Sequence, residues 1–464
     1  MHIDPQFLVH NTHWDDPLHF ADQDPQLKRL KKQPLVWSPA LLSHLPRDIP
    51  GIYTLGGGRQ IGKTTLLKQW MVALMASGIS PHTILFLSGE LIDDHHALLH
   101  TLQHALRDMP TAALKFILLD EVTYIREWDK GIKYAADAAL LDDVILLITG
   151  SDLVFIQEAR MRFPGRRGTA AVADFHLNPL SFRECVQLTQ PTFATVLDAL
   201  SSDVLPSHEE LTVLFQAFDR YCLHGGYLTA INDVAKYGHI LSATLATYSD
   251  WIRGDMLKRG KNETYLREVL SALLKRYLCQ ITWNTLAQDL SIDHPATVAD
   301  YVHVLERMDV LFVQAALLED KLVAAPKKAR RVLLNDPFIY HAIRAWLMPS
   351  TVLNGQITHD VLQEPESYGK IVEAAVIAEI KRHYPTFYIK AEGEVDVAYV
   401  HHDQFWPIEI KWTNQLRTKD LKQVLKYPHA EIWSKQMYPG QCQHLSVRPL
   451  PWALYRFGMT GLDA

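Results

Sequence analysis

Cysteine is scarce in this chain: four residues in 464, at Cys185, Cys222, Cys279 and Cys442, with no C-x-x-C pair. That spacing gives neither a disulfide framework nor a zinc ribbon, and a reducing cytosol is the simplest setting for it. Long apolar runs are missing too. None approaches the ~18 residues of a membrane span, so no membrane partner is expected. Met1-His2-Ile3-Asp4-Pro5 lacks the basic and apolar regions of a secretory leader, and a cytoplasmic location is expected. Positive charge is not in excess either. Lys and Arg number 46 against 52 Asp and Glu, for a net charge of −6. This argues against wholesale non-specific nucleic-acid binding and leaves room for a local basic groove. The histidine pairs His95-His96 and His401-His402 are poor metal-ligand pairs, because adjacent side chains diverge on a helix or strand.

What is present is a phosphate loop. Gly57-Gly58-Arg59-Gln60-Ile61-Gly62-Lys63-Thr64 reads G-x-x-x-x-G-K-T, and Thr65 follows it. Gly51–Leu55 before it reads as a buried strand. Thr65–Ala76 after it reads as a helix, with Gly78 as its stop. Residues 57 to 65 are therefore the expected ATP-binding segment. Glycines let backbone N–H groups close around phosphate oxygens, and the helix N-terminus favours the anion. Lys63 is expected on the β- and γ-phosphates and Thr64 on Mg²⁺.

Phe116-Ile117-Leu118-Leu119-Asp120-Glu121 supplies the acids. Four apolar residues running into two carboxylates suit a central parallel strand buried on both faces. Asp120 is expected to order Mg²⁺ and its waters, and Glu121 to act as general base. A further strand, Val144–Ile148, ends in Thr149-Gly150-Ser151. Either Thr149 or Ser151 is the candidate γ-phosphate sensor, and a plain strand-ending turn is the competing reading. Arg160, Arg162, Arg166 and Arg167 follow. Arg166 is the first candidate for an arginine finger and Arg167 the second, with a solvated basic loop as the alternative.

The chain divides by pattern. Residues 1–48 form a polar lead containing the basic run Lys28, Arg29, Lys31 and Lys32, expected to lie on the ATPase as solvated surface. Residues 49–185 alternate strands with helices, the mark of a parallel sheet covered on both faces. Residues 186–265 read as helical. Residues 266–345 read as a winged helix: helices at 265–278, 283–290 and 295–307, then a wing starting at 310–317. The third helix offers Asp300, His303, Glu306 and Arg307, a poor phosphate-binding set, so a protein-facing role outweighs DNA recognition there. Lys327, Lys328, Arg330 and Arg331 form the best basic cluster, facing phosphate or lying as a solvated strand edge.

Residues 366–450 read as a small α/β domain. Glu394–Val400 and Phe405–Lys411 alternate like paired strands. They carry Asp396 and Glu409-x-Lys411, with Glu409 and Lys411 on one face. Two carboxylates that bind Mg²⁺ and a lysine that orients water form the D…E-x-K core of a metal-dependent nuclease. Glu373, on a helix at 370–384, and Gln423, on a helix after Lys411, are further candidates.

These pieces together resemble the AAA+-type, archaeal-ATPase-like family that carries a C-terminal domain of unknown function. Gly57–Thr65 resembles its G-P-R-Q-x-G-K-T-T, with Gly58 in place of proline. Leu118–Glu121 resembles L-D-E, and Thr149–Ser151 resembles T-G-S. Pro164–Gly168, Pro179–Glu184, Gly225-Gly226-Tyr227 and Asn335-Asp336-Pro337-Phe338 resemble further signatures, with Leu228 where proline is usual. Glu394-Val395-Asp396 and Ile408–Lys411 resemble E-V-D and I-E-V-K. The resemblance runs from about residue 24 to residue 413. It implies ATP binding and a restriction-endonuclease-like C-terminal fold akin to PD-(D/E)xK nucleases. The expected function is an Mg²⁺-dependent ATPase whose nucleotide state controls a nuclease-like module acting on DNA. The alternative is a nucleotide-dependent signalling switch with protein partners and an inactive nuclease fold. A second copy of the chain enters as a partner if the finger acts in trans.

Overall fold

The computed structural model describes residues 5–111, 113–150, 161, 163–201, 204–348 and 357–460. Arg160, Arg162 and Ser151 lie outside the described residues. The chain forms two compact units. The first holds residues 1–178 with Arg307–Asp309, and the second holds 179–306 and 310–464.

The first unit is built on a parallel sheet of β1 (Gly51–Gly56), β2 (Ile84–Ser88), β3 (Lys115–Asp120), β4 (Val144–Thr149) and β5 (Asp174–His176). Their spatial order is β2-β3-β4-β1-β5, so β4 separates the loop strand from the acid strand. Alternation along each strand divides the core. Ile117, Leu119, Leu146 and Ile148 face one layer, with Leu98 and Leu102 of the helix His95–Asp108 and Ile132 of Trp128–Asp137. Phe116, Leu118, Ile145 and Leu147 face the other, with Leu66, Trp70 and Leu74 of the helix Lys63–Ala76. Each such side chain contributes about 1.5–3 kcal/mol by leaving water, and both sheet faces are consumed.

The N-terminal lead is more than a polar drape. Phe20, Leu27 and Leu45 enter the second core layer. Asn11 donates to Phe86 O and accepts from Phe86 N, each at 2.8 Å, and so caps the edge strand β2. Lys68, fully buried, donates to His10 O at 2.7 Å and lies 3.2 Å from Asp24. Lys28, Arg29 and Lys31 do remain in the last turn of a short helix, where cations suit the helix dipole.

The second unit starts with helices, the longest being His208–His224 and Ser242–Lys258. Helices Glu263–Lys275, Trp283–Ala287 and Pro295–Arg307 follow. The first two are shorter than expected at their C-terminal ends, and Leu278 takes a positive φ of 65° beyond the first. Strand β6 (Leu311–Ala315) pairs antiparallel with β9 (Arg330–Leu334), with the short pair β7 (Leu317–Leu318) and β8 (Val323–Ala324) between them.

A six-stranded mixed sheet ends the chain: β10 (Thr386–Lys390), β11 (Glu394–His401), β12 (Gln404–Lys411), β13 (Glu431–Ser434), β14 (Gly440–Cys442) and β15 (Leu445–Pro449), in the order β10-β11-β12-β13-β15-β14. β11 and β12 are antiparallel and β12 and β13 parallel. Helices Pro365–Lys381 and Leu450–Thr460 accompany it. The expected helix carrying Gln423 is absent. Gln423 instead precedes a 3-10 turn, Val424–Lys426.

Candidate functional site

Strand β1 leads straight into the phosphate loop, and the helix starts at Lys63. The glycines are there for geometric reasons. Gly57 has φ +143°, and a Cβ on it would stand 2.6 Å from Leu177 O. Gly62 has φ +107° at the helix N-cap, where other residues are strained. Arg59 is turned outward onto the Tyr124 hydroxyl, 2.8 Å away. Gly58, Gln60, Ile61 and Thr65 complete the loop and the first turn. Lys63 is only 4% exposed. Its Nζ donates to Gly57 O and Gly58 O, each at 3.0 Å, and lies 3.7 Å from Glu121. Burial pushes its pKa down, opposed by Glu121, Asp120 and Asp309.

Three strand ends converge beside that lysine. Thr64 Oγ1 donates to Asp120 Oδ2 at 2.6 Å. Thr149 Oγ1 donates to Asp120 Oδ1, also at 2.6 Å, and accepts from Glu121 N at 2.8 Å. The sheet order explains this: β4 is the neighbour of β3, with Leu119 opposite Ile148. Burial pushes the Asp120 carboxyl up, while the two hydroxyls oppose that shift. Glu121 takes a left-handed φ of 51°, which turns the chain out of the strand. Gly89 approaches it closely, since a Cβ there would lie 2.5 Å from Glu121 O. A buried lysine, a hydroxyl and a carboxylate one hydrogen bond apart, and a loop that tolerates no side chain at Gly57 fit a Mg²⁺–nucleotide. Mg²⁺ needs few protein ligands when phosphates and water supply the rest.

The two arginines diverge. Arg167 donates to Asp174 Oδ2 at 2.9 Å and to Ile52 O at 3.3 Å, tying β1 to β5. It is a structural brace. Arg166 pairs with Asp137 at the surface, with Nη2 to Oδ2 at 3.2 Å.

In the second unit the predicted acids also meet. Lys411 forms an ion pair with Glu409 and lies 3.9 Å from Asp396 Oδ2, which accepts from Ile410 N at 2.8 Å. Burial, then Asp396, pushes Glu373 and Glu409 up to about 8. The sequence reading missed Arg331. It is no solvated strand edge, being 5% exposed. Its Nη1 donates to Glu373 Oε1 at 2.9 Å and to Asp396 O at 3.3 Å, and its Nη2 pairs with Glu394. Among the described residues, no three His, Cys, Asp or Glu side chains form a metal-holding group. The cluster as arranged therefore does not fit a divalent cation. Gln423 turns away from it, accepting from Gly393 N at 3.2 Å and donating to Tyr427 at 2.9 Å.

Other signature residues are architectural. Gly225 has φ +57°, and any Cβ would fall 1.7 Å from Asp336 Oδ1. Asp336 accepts from Gly226 N and Phe338 N, each at 2.8 Å, and burial pushes it up to about 7. Ser181 and Glu184 form a capping box. Buried Glu379 accepts from Tyr221 at 2.6 Å and pairs with Arg382 at 3.3 Å.

Residues 50–186 match the family model described as AAA domain. This segment is similar to P-loop ATPase-like AAA domains. Residues 368–437 match a domain of unknown function, DUF4143. No curated protein matches the chain. Among solved structures, a Walker-type ATPase of Pyrococcus abyssi is 14% identical, with 65% of this chain and 93% of that chain covered, at a TM-score of 0.42. The Orc1 protein of Aeropyrum pernix in complex with DNA is 12% identical, with 74% and 98% covered, at 0.33. AMPPCP-bound DnaA from Aquifex aeolicus is 12% identical, with 66% and 93% covered, at 0.28. Likenesses this distant say nothing about what the present chain binds. No helix among the described residues is long and apolar enough to cross a membrane.

Proposed function

We propose that the protein binds and hydrolyses ATP with Mg²⁺ in its AAA domain, and that its nucleotide state controls a nuclease-like C-terminal module directed at DNA. One observation carries the reading: Thr64, Asp120 and Thr149 form a continuous hydrogen-bonded chain beside buried Lys63. Mg²⁺, when bound, neutralises charge on the transferring phosphoryl group. Lys63 exchanges its loop carbonyls for phosphate oxygens. Thr64 and Asp120 hold the ion. Glu121 takes the proton of the attacking water. Thr149, fixed to both acids, senses the γ-phosphate. Arg166 serves as a finger toward a second copy after leaving Asp137. In the C-terminal module, Asp396 and Glu409 are the carboxylates and Lys411 the cation of the proposed nuclease-like site, which as arranged does not fit Mg²⁺. Glu121→Gln should trap bound ATP and slow turnover by roughly 10²–10⁴-fold. Hydrolysis at the parent rate would remove Glu121 as the base.

A second reading, a protein-directed switch with an inactive nuclease fold, is favoured by the Arg331 contacts and the net charge of −6. On the helix Pro295–Arg307, the acidic Asp300 pairs with Lys261, which makes that lysine less available to phosphate. Affinity for DNA that falls steeply with salt, through counterion release, supports the first reading. No salt-sensitive binding supports the second.

A further inference from the structure

Asp309 follows the helix Pro295–Arg307, at a place where the local chain disfavours a carboxylate twice over. Its φ is +61°, a left-handed conformation that glycine, then asparagine, takes at least cost. Val310 N donates to Leu305 O at 3.1 Å, the long closing bond of a Schellman turn. The helix end beside it carries partial negative charge, which opposes an acid. Contacts distant in the chain hold Asp309 there. Arg307–Asp309 belong with the first unit. Asp309 Oδ2 lies 3.1 Å from His176 Nε2, 133 positions back along the chain. His176 ends β5 and stands opposite Gly56 in register. The next residue, Leu177, donates to Gly56 O at 2.9 Å, and its own carbonyl is the atom that bars a Cβ at Gly57. The anchor of Asp309 thus lies at the carboxyl edge of the sheet, against the start of the phosphate loop. Asp309 is 9% exposed and Lys63 4%. Burial pushes the Lys63 pKa down, and Glu121, Asp120 and then Asp309 oppose that push.

We propose that Asp309, held by His176, is a specificity-determining carboxylate of the nucleotide site: a fixed negative charge near Lys63 that weakens nucleotide binding, and weakens a triphosphate more than a diphosphate. This rests on reading the loop as an ATP site. It goes further by naming a residue outside the loop and the strand-end acids, and the direction in which it acts. Asp120 and Glu121 have a metal ion and a water to serve in the proposed reaction. Asp309 has neither. An ionised carboxylate only accepts hydrogen bonds, and phosphate oxygens donate none to it. Salt screens little between groups this buried, and each added phosphoryl charge raises the cost. The consequence is a site that empties readily rather than one that stays loaded.

The test is isothermal titration calorimetry of the full chain with Mg²⁺–AMPPCP and with Mg²⁺–ADP. The parent, Asp309→Asn and Asp309→Gly are compared, with thermal melting as the check on folding. Asparagine keeps the size and an acceptor for His176, and both replacements suit the positive φ. Glu121 and Asp120 remain in each variant to favour the charged Lys63. Both variants should bind more tightly than the parent, by about tenfold for AMPPCP and about threefold for ADP. A merely structural role has the opposite sign, since a loosened loop weakens both ligands. Folded variants that bind AMPPCP no more tightly than the parent overturn the proposal, and so does an equal gain for the two ligands. If neither variant folds, Asp309 is structural and the proposal falls. A parent that binds neither nucleotide removes the ATP reading and the proposal with it. A parent that binds, with variants unchanged, removes only the role of Asp309.

Discussion

The molecule carries two carboxylate sites with a lysine beside them, and they are satisfied in different ways. At the phosphate loop, the partners are local and exchangeable. Lys63 rests on carbonyls of its own loop, and the Asp120 carboxylate takes two hydroxyls. Each of these contacts can be traded for a nucleotide oxygen or a magnesium ion at the cost of one or two hydrogen bonds. At the C-terminal cluster, the partner is a charged fork from a separate strand pair, set over Glu373, Glu394 and the Asp396 carbonyl. Removing one member of such a buried ion pair leaves an uncompensated charge and is far more costly. The motifs look equally complete in the sequence. The difference lies in Arg331, a residue outside the E-x-K motif.

The comparison breaks most readily at Asp120. Asp120→Asn keeps the side chain's size and removes its charge, and Mg²⁺-dependent ATP turnover should fall by about 10²-fold or more, as for loss of a pre-organised electrostatic group. Turnover within a few-fold of the parent would make the P-loop acid dispensable.

A smaller effect is expected at Thr149. Thr149→Val removes the hydroxyl shared by Asp120 and Glu121 N, which should slow turnover by about tenfold, near the ~1.4 kcal/mol that separates decades of rate. If ATP binding falls and turnover does not, Thr149 is only a strand-end brace.

Acidity sharpens the contrast next. Glu373 and Glu409 sit near 8 in the fold, against an ordinary value of 4.5. They therefore keep protons that the unfolded chain has released. The stability they contribute is full below about pH 4.5 and is lost as the pH rises toward 8. Melting of the C-terminal unit should fall across that window, and Glu409→Gln should flatten the slope. A slope unchanged by this substitution would place the titration elsewhere.

The smallest structural effect is expected at Arg166, whose surface pair with Asp137 is of a kind that contributes little to stability. Arg166→Ala should leave the melting temperature unchanged. If the finger acts between copies, turnover per chain rises with protein concentration in the parent and not in the variant.

What could be read from the sequence follows from how local each signal is. Strand, glycine loop and helix are contiguous, so these elements and the acids ending β3 could be located from the sequence. Thr149 was open between two readings because its value depends on β4 lying beside β3, which is a tertiary fact. Asn11 capping β2 from 75 positions away leaves no periodic trace. Arg331 lies in a basic run that the sequence leaves open between a phosphate-facing cluster and a solvated strand edge, and only the approach of β9 to β11 turns its side chain inward. Gln423 was misplaced because a short 3-10 turn and a helix start with the same local pattern. Gly225 and Asp336, 111 positions apart, were legible as signatures, but their contact was not.

The most direct measurement is Mg²⁺-dependent ATP turnover by the parent and Lys63→Ala, with supercoiled plasmid in the same tube, with and without ATP. The account predicts turnover in the parent, none in Lys63→Ala, and plasmid left intact whenever ATP is withheld. Turnover by Lys63→Ala at the parent rate, or cutting by the parent without ATP, would contradict it.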